Sequence, residues 1–152
     1  MRVSAKTDYA LRAIVELASA NGDAPVKGER LATSQGIPLR FLENILLQLR
    51  HAGLVESRRG AEGGYRLARP AAEITLADVI RAIDGPLAGV GGARPEALDF
   101  QGSAEPLREV WVAVRASLRA VLEGVTVADV ASGELPGHVR TLVADEDAWL
   151  PH

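Results

Sequence analysis

The amino-acid sequence predicts a mainly α fold, with three helices before a small two-stranded hairpin and a long helix near the C-terminus. Apolar residues recur at helical spacing in three successive segments between residues 4 and 51. Two short apolar stretches follow, separated by a loop with three glycines, as in a β-hairpin. Beyond a glycine-rich segment, apolar positions alternate every four and three residues from Leu107 onward. The first three helices and the hairpin together predict a winged helix-turn-helix.

The length and composition indicate one globular domain with an appendage. Of 152 residues, 47% are hydrophobic and 24% charged, which is ordinary for a protein that buries a core. No apolar run approaches the roughly 20 residues that a membrane span needs, and no signal-peptide pattern is present, so we expect a cytoplasmic protein without membrane contact. The chain has no cysteine, which excludes disulfides, thiolate metal sites and cysteine nucleophiles.

The net charge of −3 conceals two halves of opposite sign. Residues 1–69 contain eleven of the seventeen Lys and Arg but only seven of the twenty Asp and Glu. The second half is correspondingly acidic. A basic first half can approach phosphates while the acidic half faces away, so the charge pattern favours a polyanionic partner for the helical N-terminal region.

The first two predicted helices are short and have recognisable ends. One covers residues 4–20, where Ser4 or Thr7 can cap the first turn. The sequence Asn-Gly-Asp-Ala-Pro that follows is expected to end it. The second covers residues 27–34, and Gly36 supplies the positive φ that commonly ends a helix.

The third predicted helix is strongly amphipathic. It begins at Pro38, reaches His51 and is stopped by Gly53. Its apolar face is formed by Leu42, Ile45, Leu46 and Leu49, and its other face carries Arg40, Glu43, Asn44, Gln48 and His51. These polar types match base edges in the major groove: arginine pairs with guanine, asparagine or glutamine with adenine, and glutamate with the cytosine amino group.

A short hairpin follows the third helix. Residues 54–58 and 65–68 are predicted strands, and the loop between them contains Gly60, Gly63 and Gly64. Arg58 and Arg59 lie at its tip, where arginine can enter a minor groove or grip phosphates. The hairpin is therefore predicted to be a basic wing.

The remainder of the chain is predicted to hold a capped helix, a loop, a long helix and a tail. Thr75 and Asp78 form a capping-box pattern for a helix that ends near Ile83, and Thr126 begins a second such pattern. Residues 85–106 contain five glycines and three prolines, which predicts a flexible loop. The domain boundaries follow: a winged domain over 1–84, a flexible loop or linker over 85–106, the long helix with a short following helix over 107–131, and an acidic, poorly ordered tail over 132–152.

Several sequence motifs occur one after another along the chain. Residues 37–67 read IPLRFLENILLQLRHAGLVESRRGAEGGYRL, the first helix opens with KTDYALR from Lys6, and residues 74–86 run from ITLAD to DGP. Together with Val110-Trp111, they resemble the Rrf-type family of bacterial winged helix-turn-helix transcription regulators, the IscR, NsrR and CymR group. The resemblance covers residues 1–131 and implies a sequence-specific DNA-binding regulator, most often a repressor.

The resemblance and the residue chemistry together predict the DNA-contacting surface. Base-reading groups lie on the third helix, wing residues reach the backbone, and residues near helix starts contact phosphates. The expected DNA-contacting residues are Lys6, Thr7, Tyr9, Lys27, Pro38, Leu39, Arg40, Glu43, Asn44, Gln48, Arg58, Arg59, Gly60, Gly63 and Gly64. Gly63 and Gly64 can equally serve only the hairpin's conformation.

The long helix carries the spacing of a coiled-coil seam. Its expected contact positions are Leu107, Trp111, Val114, Leu118, Val121 and Val125. A second copy of the chain is the simplest cover for this stripe, although it can also pack on its own winged domain. A two-fold homodimer would present two recognition helices to a palindromic operator with half-sites about 34 Å apart or a multiple of that.

The absence of cysteine separates this chain from members of the family that hold an iron–sulfur cluster. Those members use three cysteines in the loop that corresponds to residues 85–106, and none of the three histidines of this chain lies in that loop. We therefore expect no cluster and no metal, and a small-molecule effector or protein partner as the controlling signal.

Two other classes of function remain as alternatives. A winged-helix adaptor that binds protein would not need the base-reading set on the third helix or the basic wing. An enzyme is not expected, because the sequence shows no P-loop, no metal-spaced His and Glu pair and no cysteine nucleophile.

Overall fold

The structure is a computed structural model that describes residues 2–20 and 24–151. It is mainly α with one two-stranded antiparallel sheet, which confirms the predicted winged helix-turn-helix. The elements are α1 (Ala5–Ser19), α2 (Gly28–Gln35), α3 (Leu39–His51), β1 (Val55–Arg58), β2 (Gly64–Leu67), α4 (Leu76–Asp84), α5 (Leu107–Leu122), α6 (Val127–Ser132) and α7 (Gly137–Val143), with short 3-10 turns at Ala71–Glu73, Pro95–Ala97, Gly102–Ala104 and Glu146–Trp149.

Helix α1 begins where the sequence places its cap. Of the two cap candidates Ser4 is the cap, because its hydroxyl accepts a hydrogen bond from the backbone N–H of Thr7 at 3.0 Å. Ala10, Ala13, Ile14 and Leu17 are buried on one face. The helix ends at Ser19; of the stretch predicted to end it, residues 21–23 lie outside the described part of the chain.

Helices α2 and α3 meet at a tight turn. Gly36 adopts φ +62° and closes α2, and Ile37 is buried directly after it. Pro38 is the N-cap of α3. The predicted apolar face of α3 is confirmed, since Leu42, Ile45, Leu46 and Leu49 are each fully buried against α1 and the rest of the core. This packing fixes the opposite, polar face toward solvent.

Strands β1 and β2 form the predicted hairpin, with Val55 opposite Leu67 and Arg58 opposite Gly64. A third segment joins it: the backbone groups of Val26 and Tyr65 exchange two hydrogen bonds of 2.8 Å. The segment that leads into α2 is therefore hydrogen-bonded to the wing.

Helix α6 belongs to the winged domain, which corrects the predicted boundary at residue 84. Backbone hydrogen bonds join Leu76 to Val125 at 3.0 Å and Val127 to Ile74 at 2.8 Å, and α6 packs on α1. Val125 is 3% exposed and lies beyond the end of α5. Its predicted place on the seam was wrong, because the four-three spacing continues past the residue at which the helix ends.

The predicted loop, residues 85–106, has irregular backbone but packs as part of the fold. Val90 and Ala93 exchange two backbone hydrogen bonds of 3.0 Å. Leu87 and Pro95 are buried, and the turn at Pro95–Ala97 lies against α5. The segment is thus folded against α5, and the flexibility expected of it stays a prediction.

The predicted poorly ordered tail also contains regular structure. Pro136 caps α7 with φ −57°, the value its ring imposes. The indole N–H of Trp149 then donates to the carbonyl of Val143 at 2.7 Å and closes the last turn against the helix. The side chains of this segment are mostly exposed, and the poor order expected of it stays a prediction.

Within residues 2–20 and 24–151, no helix is both long and apolar enough to cross a membrane.

Candidate nucleic-acid interface

The exposed face of α3 carries the predicted base-reading groups side by side. Arg40, Glu43 and Asn44 are exposed, and Gln48 is half-buried. The amide of Gln48 donates to the side-chain oxygen of Asn44 at 3.4 Å, so two amides lie on adjacent turns. With the apolar face of α3 locked in the core, this face is free to enter a major groove.

Aromatic packing at the start of α3 sets the angle between α1 and α3. The rings of Tyr9 and Phe41 meet edge to face with centroids 5.7 Å apart. The guanidinium of Arg12 lies 4.8 Å from the centroid of the Tyr9 ring. Tyr9 is half-buried, so it has a packing role besides any phosphate contact.

The wing presents its basic tip beside the start of α2. Arg58, Arg59 and Gly60 are exposed, and Gly60 has φ +100°. The ammonium group of Lys27, at the N-cap of α2, donates to the carbonyl of Gly60 at 3.3 Å. The ammonium group of Lys27 thus lies beside the wing tip that carries the exposed arginines, an arrangement that suits phosphate contacts.

Two of the hairpin glycines are required by close backbone approaches. A Cβ on Gly63 would lie 2.2 Å from the carbonyl oxygen of Arg58, and one on Gly64 would lie 2.5 Å from that of Val26. Gly64 also has φ +152°. Gly63 is buried, so the prediction that it contacts DNA is corrected: it allows the strands to close.

Thr7 is the second predicted contact that the structure removes from the surface. It is fully buried, and its hydroxyl donates to the Asp84 carboxylate at 2.6 Å. This hydrogen bond, followed by that from Ser4, holds the pKa of Asp84 below its usual value. The position of Thr7 near a helix start suggested a phosphate contact, but its hydroxyl binds the carboxylate at the end of α4 instead.

The remaining predicted contacts lie at the edges of the same surface. Pro38 and Leu39 are exposed at the start of α3, and Lys6 is half-buried in the first turn of α1. The positive charge of Lys6 contributes to the lowered pKa of Asp84, so Lys6 interacts electrostatically with that carboxylate.

Sequence reasoning missed two features of this face. Leu47 is 42% exposed on the polar side of α3, where an aliphatic side chain suits contact with a thymine methyl group. The signal was an apolar residue within a polar stripe. Arg50 was also missed; its guanidinium donates to the Ser57 hydroxyl at 2.9 Å and links α3 to β1. That bond depends on the wing's position and has no sequence signature.

Helix α5 presents its predicted seam to solvent. Within the described part of the chain, no side chain of α5 is buried. Leu107, Val110 and Val114 are 43%, 50% and 40% exposed, while Trp111, Leu118 and Val121 are half-buried. Five of the six predicted seam positions thus lie on one helix, and a wide apolar stripe remains open.

The residues of the loop do not fit a cysteine-ligated iron–sulfur cluster. The sequence contains no thiol, and the described residues contain no group of three or more His, Asp or Glu side chains placed to hold a metal ion. The soft sulfur donors that such clusters require are missing.

The comparisons with known proteins agree with this geometry. The family model Rrf2, described as an iron-dependent transcriptional regulator, matches residues 3–133. A Mycobacterium tuberculosis protein named as an HTH-type transcriptional regulator, Rv1287, is 54% identical over 95% of this chain and 90% of its own length. CymR of Bacillus subtilis is 36% identical over 87% of this chain and 91% of its own.

Solved structures agree as well. The structure of CymR, described as the global cysteine regulator of B. subtilis, is 34% identical and superposes with a TM-score of 0.75 over 88% of this chain and 98% of that one. IscR of T. potens is 34% identical, with a TM-score of 0.68 over 100% of this chain and 93% of its own. With its winged helix-turn-helix and the exposed polar face of α3, the chain belongs to the Rrf2 family of DNA-binding transcription regulators.

Proposed function

We propose that the chain acts as a homodimeric repressor that recognises a palindromic operator. The observation that carries the proposal is the pairing of two open faces on one chain: the polar face of α3 beside a basic wing, and the unburied apolar stripe of α5. The polar face of α3 would recognise the DNA sequence, and the apolar stripe of α5 would join two copies of the chain.

The exposure of the apolar stripe on α5 supports the proposal that a second copy of the chain packs against it. Leu107, Val110 and Val114 remain 40% to 50% exposed on the folded chain, so packing on the chain's own winged domain does not cover them. A helix of 16 residues is marginal in water when its apolar face is uncovered. Pairing with an identical stripe removes the same surface from water on both copies.

A two-fold pair would carry two α3 helices on one side. Helices in consecutive major grooves lie about 34 Å apart along the duplex, and the wings would then reach the flanking backbone. Occupation of two consecutive grooves blocks access of polymerase to a promoter that contains the site, which is the physical basis for repression.

The controlling signal is proposed to act without a cysteine-ligated cluster. The chain has no thiol to hold one, and the loop over residues 85–106 is packed by Leu87 and Pro95. A small metabolite or a protein partner acting on this loop and on α5 would change the separation of the two reading helices.

The test is binding of the purified chain to DNA fragments of about 40 base pairs from the region upstream of its own gene. Fluorescence anisotropy at several salt concentrations separates specific from non-specific affinity. We expect one palindromic fragment bound at least about a thousandfold more tightly than a shuffled fragment, with two chains per duplex. In vitro transcription from that fragment should fall on addition of protein. Equal affinity for all genomic promoter fragments, or increased transcription, would contradict the proposal.

A further inference from the structure

A cavity of about 490 Å³ lies between the end of α4, the loop and the middle of α5. Four of its lining residues are arginines: Arg81 from α4, Arg94 from the loop, and Arg115 and Arg119 from α5. Glu96 is the one carboxylate in its lining. Its volume is in the range of cavities that hold small molecules, and its walls carry an excess of positive charge.

The ion pairs around the cavity leave part of this charge uncompensated. Arg115 contacts Glu96, and Arg81 and Arg119 share Glu123, the latter at 3.0 Å. Two carboxylates therefore pair with three of the four guanidinium groups, and Arg81 also lies 4.0 Å from Asp78.

Arg94 is the least engaged of the four. It is exposed, and its backbone carbonyl accepts a hydrogen bond from Ala97 at 2.9 Å. Within residues 2–20 and 24–151, its guanidinium group makes no hydrogen bond or ion pair. The pKa of Glu96 is lowered, and the largest cause is a hydrogen bond from the backbone of Glu96 itself. The positive charge of Arg94 also contributes to lowering this pKa. About two positive charges thus remain for a ligand.

The cavity lies beside the open stripe of α5 and is not part of it. At roughly 100° per residue, Arg115 lies about 80° and Arg119 about 120° around the helix from the line through Leu107, Val114 and Leu118. A second copy seated on the stripe would leave the arginines accessible to a small solute.

We propose that this cavity binds a small organic dianion, a dicarboxylate or a phosphate monoester, through the guanidinium groups of Arg94 and Arg115. Guanidinium groups donate two parallel hydrogen bonds to carboxylate or phosphate oxygens, which gives both affinity and orientation. The described cavity joins α4 to α5, so an occupied site would fix the angle between the winged domain and the pairing helix. The regulatory part of this inference rests on the proposed function; the binding part does not.

Binding is tested by thermal unfolding of the full chain at pH 7 and constant ionic strength. The probes are succinate, a dicarboxylate, and glycerol 3-phosphate, a phosphate monoester without a carboxylate, with succinamide and glycerol as the neutral controls. At a hundred times its dissociation constant, at least one dianion should raise Tm by about 5 °C or more, with saturation. Succinamide and glycerol should have no effect.

Paired variants assign the effect to the cavity. The double variant Arg94→Gln/Arg115→Gln should lose the Tm shift, while Arg140→Gln, an exposed arginine of α7 outside the cavity, should keep it. Circular dichroism of both variants checks that they fold. Absence of a saturable shift with both dianions, or an equal shift in the double variant, would overturn the site.

The link to regulation has a separate readout. DNA affinity of the wild type should change at least about fivefold with the effective dianion, and that of the folded double variant should not change. Failure of every preparation to bind any DNA, with the Tm shift intact, would refute the proposed function and leave the site standing. An unchanged DNA affinity of a dianion-saturated, DNA-binding wild type would refute the regulatory link.

Discussion

The hydroxyl of Thr7 lies 2.6 Å from a carboxylate oxygen of Asp84, which joins the first turn of α1 to the last residue of α4. Ser4, the cap of α1, donates to the same carboxylate at 2.9 Å. The next residue, Gly85, lines the arginine-rich cavity. One carboxylate therefore links the start of the helix that supports α3 to the segment in which we propose ligand binding.

Replacement of Thr7 by valine should weaken this link without opening a cavity, because the two side chains have nearly the same shape. We expect the free energy of unfolding to fall by about 1 kcal/mol, at the low end for a hydrogen bond to a charged group, since Asp84 is exposed to water. Thr7→Ser, which keeps the hydroxyl, is the matched control. Urea unfolding of the three proteins measures the difference. Equal stability of Thr7→Val and wild type would show that the bond contributes nothing.

The same hydrogen bonds predict a pH dependence. Asp84 has its pKa lowered in the folded chain, from an ordinary value of 3.8, so its contribution to stability is fully present above that pH. It is lost as the pH falls through the lower, folded-state pKa. The stability difference between wild type and Thr7→Val should be constant from pH 7 to 5 and shrink below about pH 4. NMR titration of the Asp84 carboxyl should show a higher pKa in Thr7→Val, and an unchanged pKa would contradict the account.

Gly63 should tolerate no side chain. An alanine Cβ would lie 2.2 Å from the Arg58 carbonyl oxygen, so the hairpin must open. We expect Gly63→Ala to cost about 2 kcal/mol of unfolding free energy and to weaken DNA binding through the displaced wing. Gly28→Ala is the control: its Cβ would meet Tyr65 at an ordinary 3.5 Å, and its stability should stay within about 0.5 kcal/mol of wild type. Thermal unfolding of both variants decides between a backbone requirement and a dispensable glycine.

Arg59 and Glu43 should affect DNA binding in different ways. Arg59→Ala removes an exposed wing charge, so it should weaken binding to all sequences and lower the salt dependence by about one counterion. Glu43→Ala should relax base preference at one position of each half-site, with a loss of about 1–3 kcal/mol of discrimination. Arg140→Ala, on α7, is the control for charge alone. Anisotropy titrations against operators with single-base changes distinguish the three variants. The same base preference in Glu43→Ala and wild type would show that Glu43 does not contribute to sequence recognition.

The features that the sequence predicted well are those with local causes. Ser4, Thr75 and Gly36 act within one turn of their own helix, and each forms the predicted cap or turn. The apolar spacing of α3 fixed its buried face, and the alternation around three glycines fixed the hairpin. These elements also bring the residues that are predicted to read bases to one surface.

The features it missed depend on contacts between distant parts of the chain. The hydroxyl of Thr7 donates to Asp84, 77 residues away. Val125 is buried where the segments before α4 and α6 pair through their backbones. Both residues continued a local pattern that the tertiary structure overrides. The arginine cavity likewise gathers residues from α4, the loop and α5, which share no local sequence signal.

The pairing of two chains along α5 is tested most directly by the mass of the protein in solution. Val114→Glu places a charge in the open stripe, and Val112→Glu places the same charge nearly opposite on the helix, at a position that is similarly exposed. Light scattering during size-exclusion chromatography should give wild type and Val112→Glu about twice the 16.1 kDa of one chain, and Val114→Glu close to 16.1 kDa. A monomeric wild type at micromolar concentration, or a Val114→Glu variant that pairs as wild type does, would contradict the account.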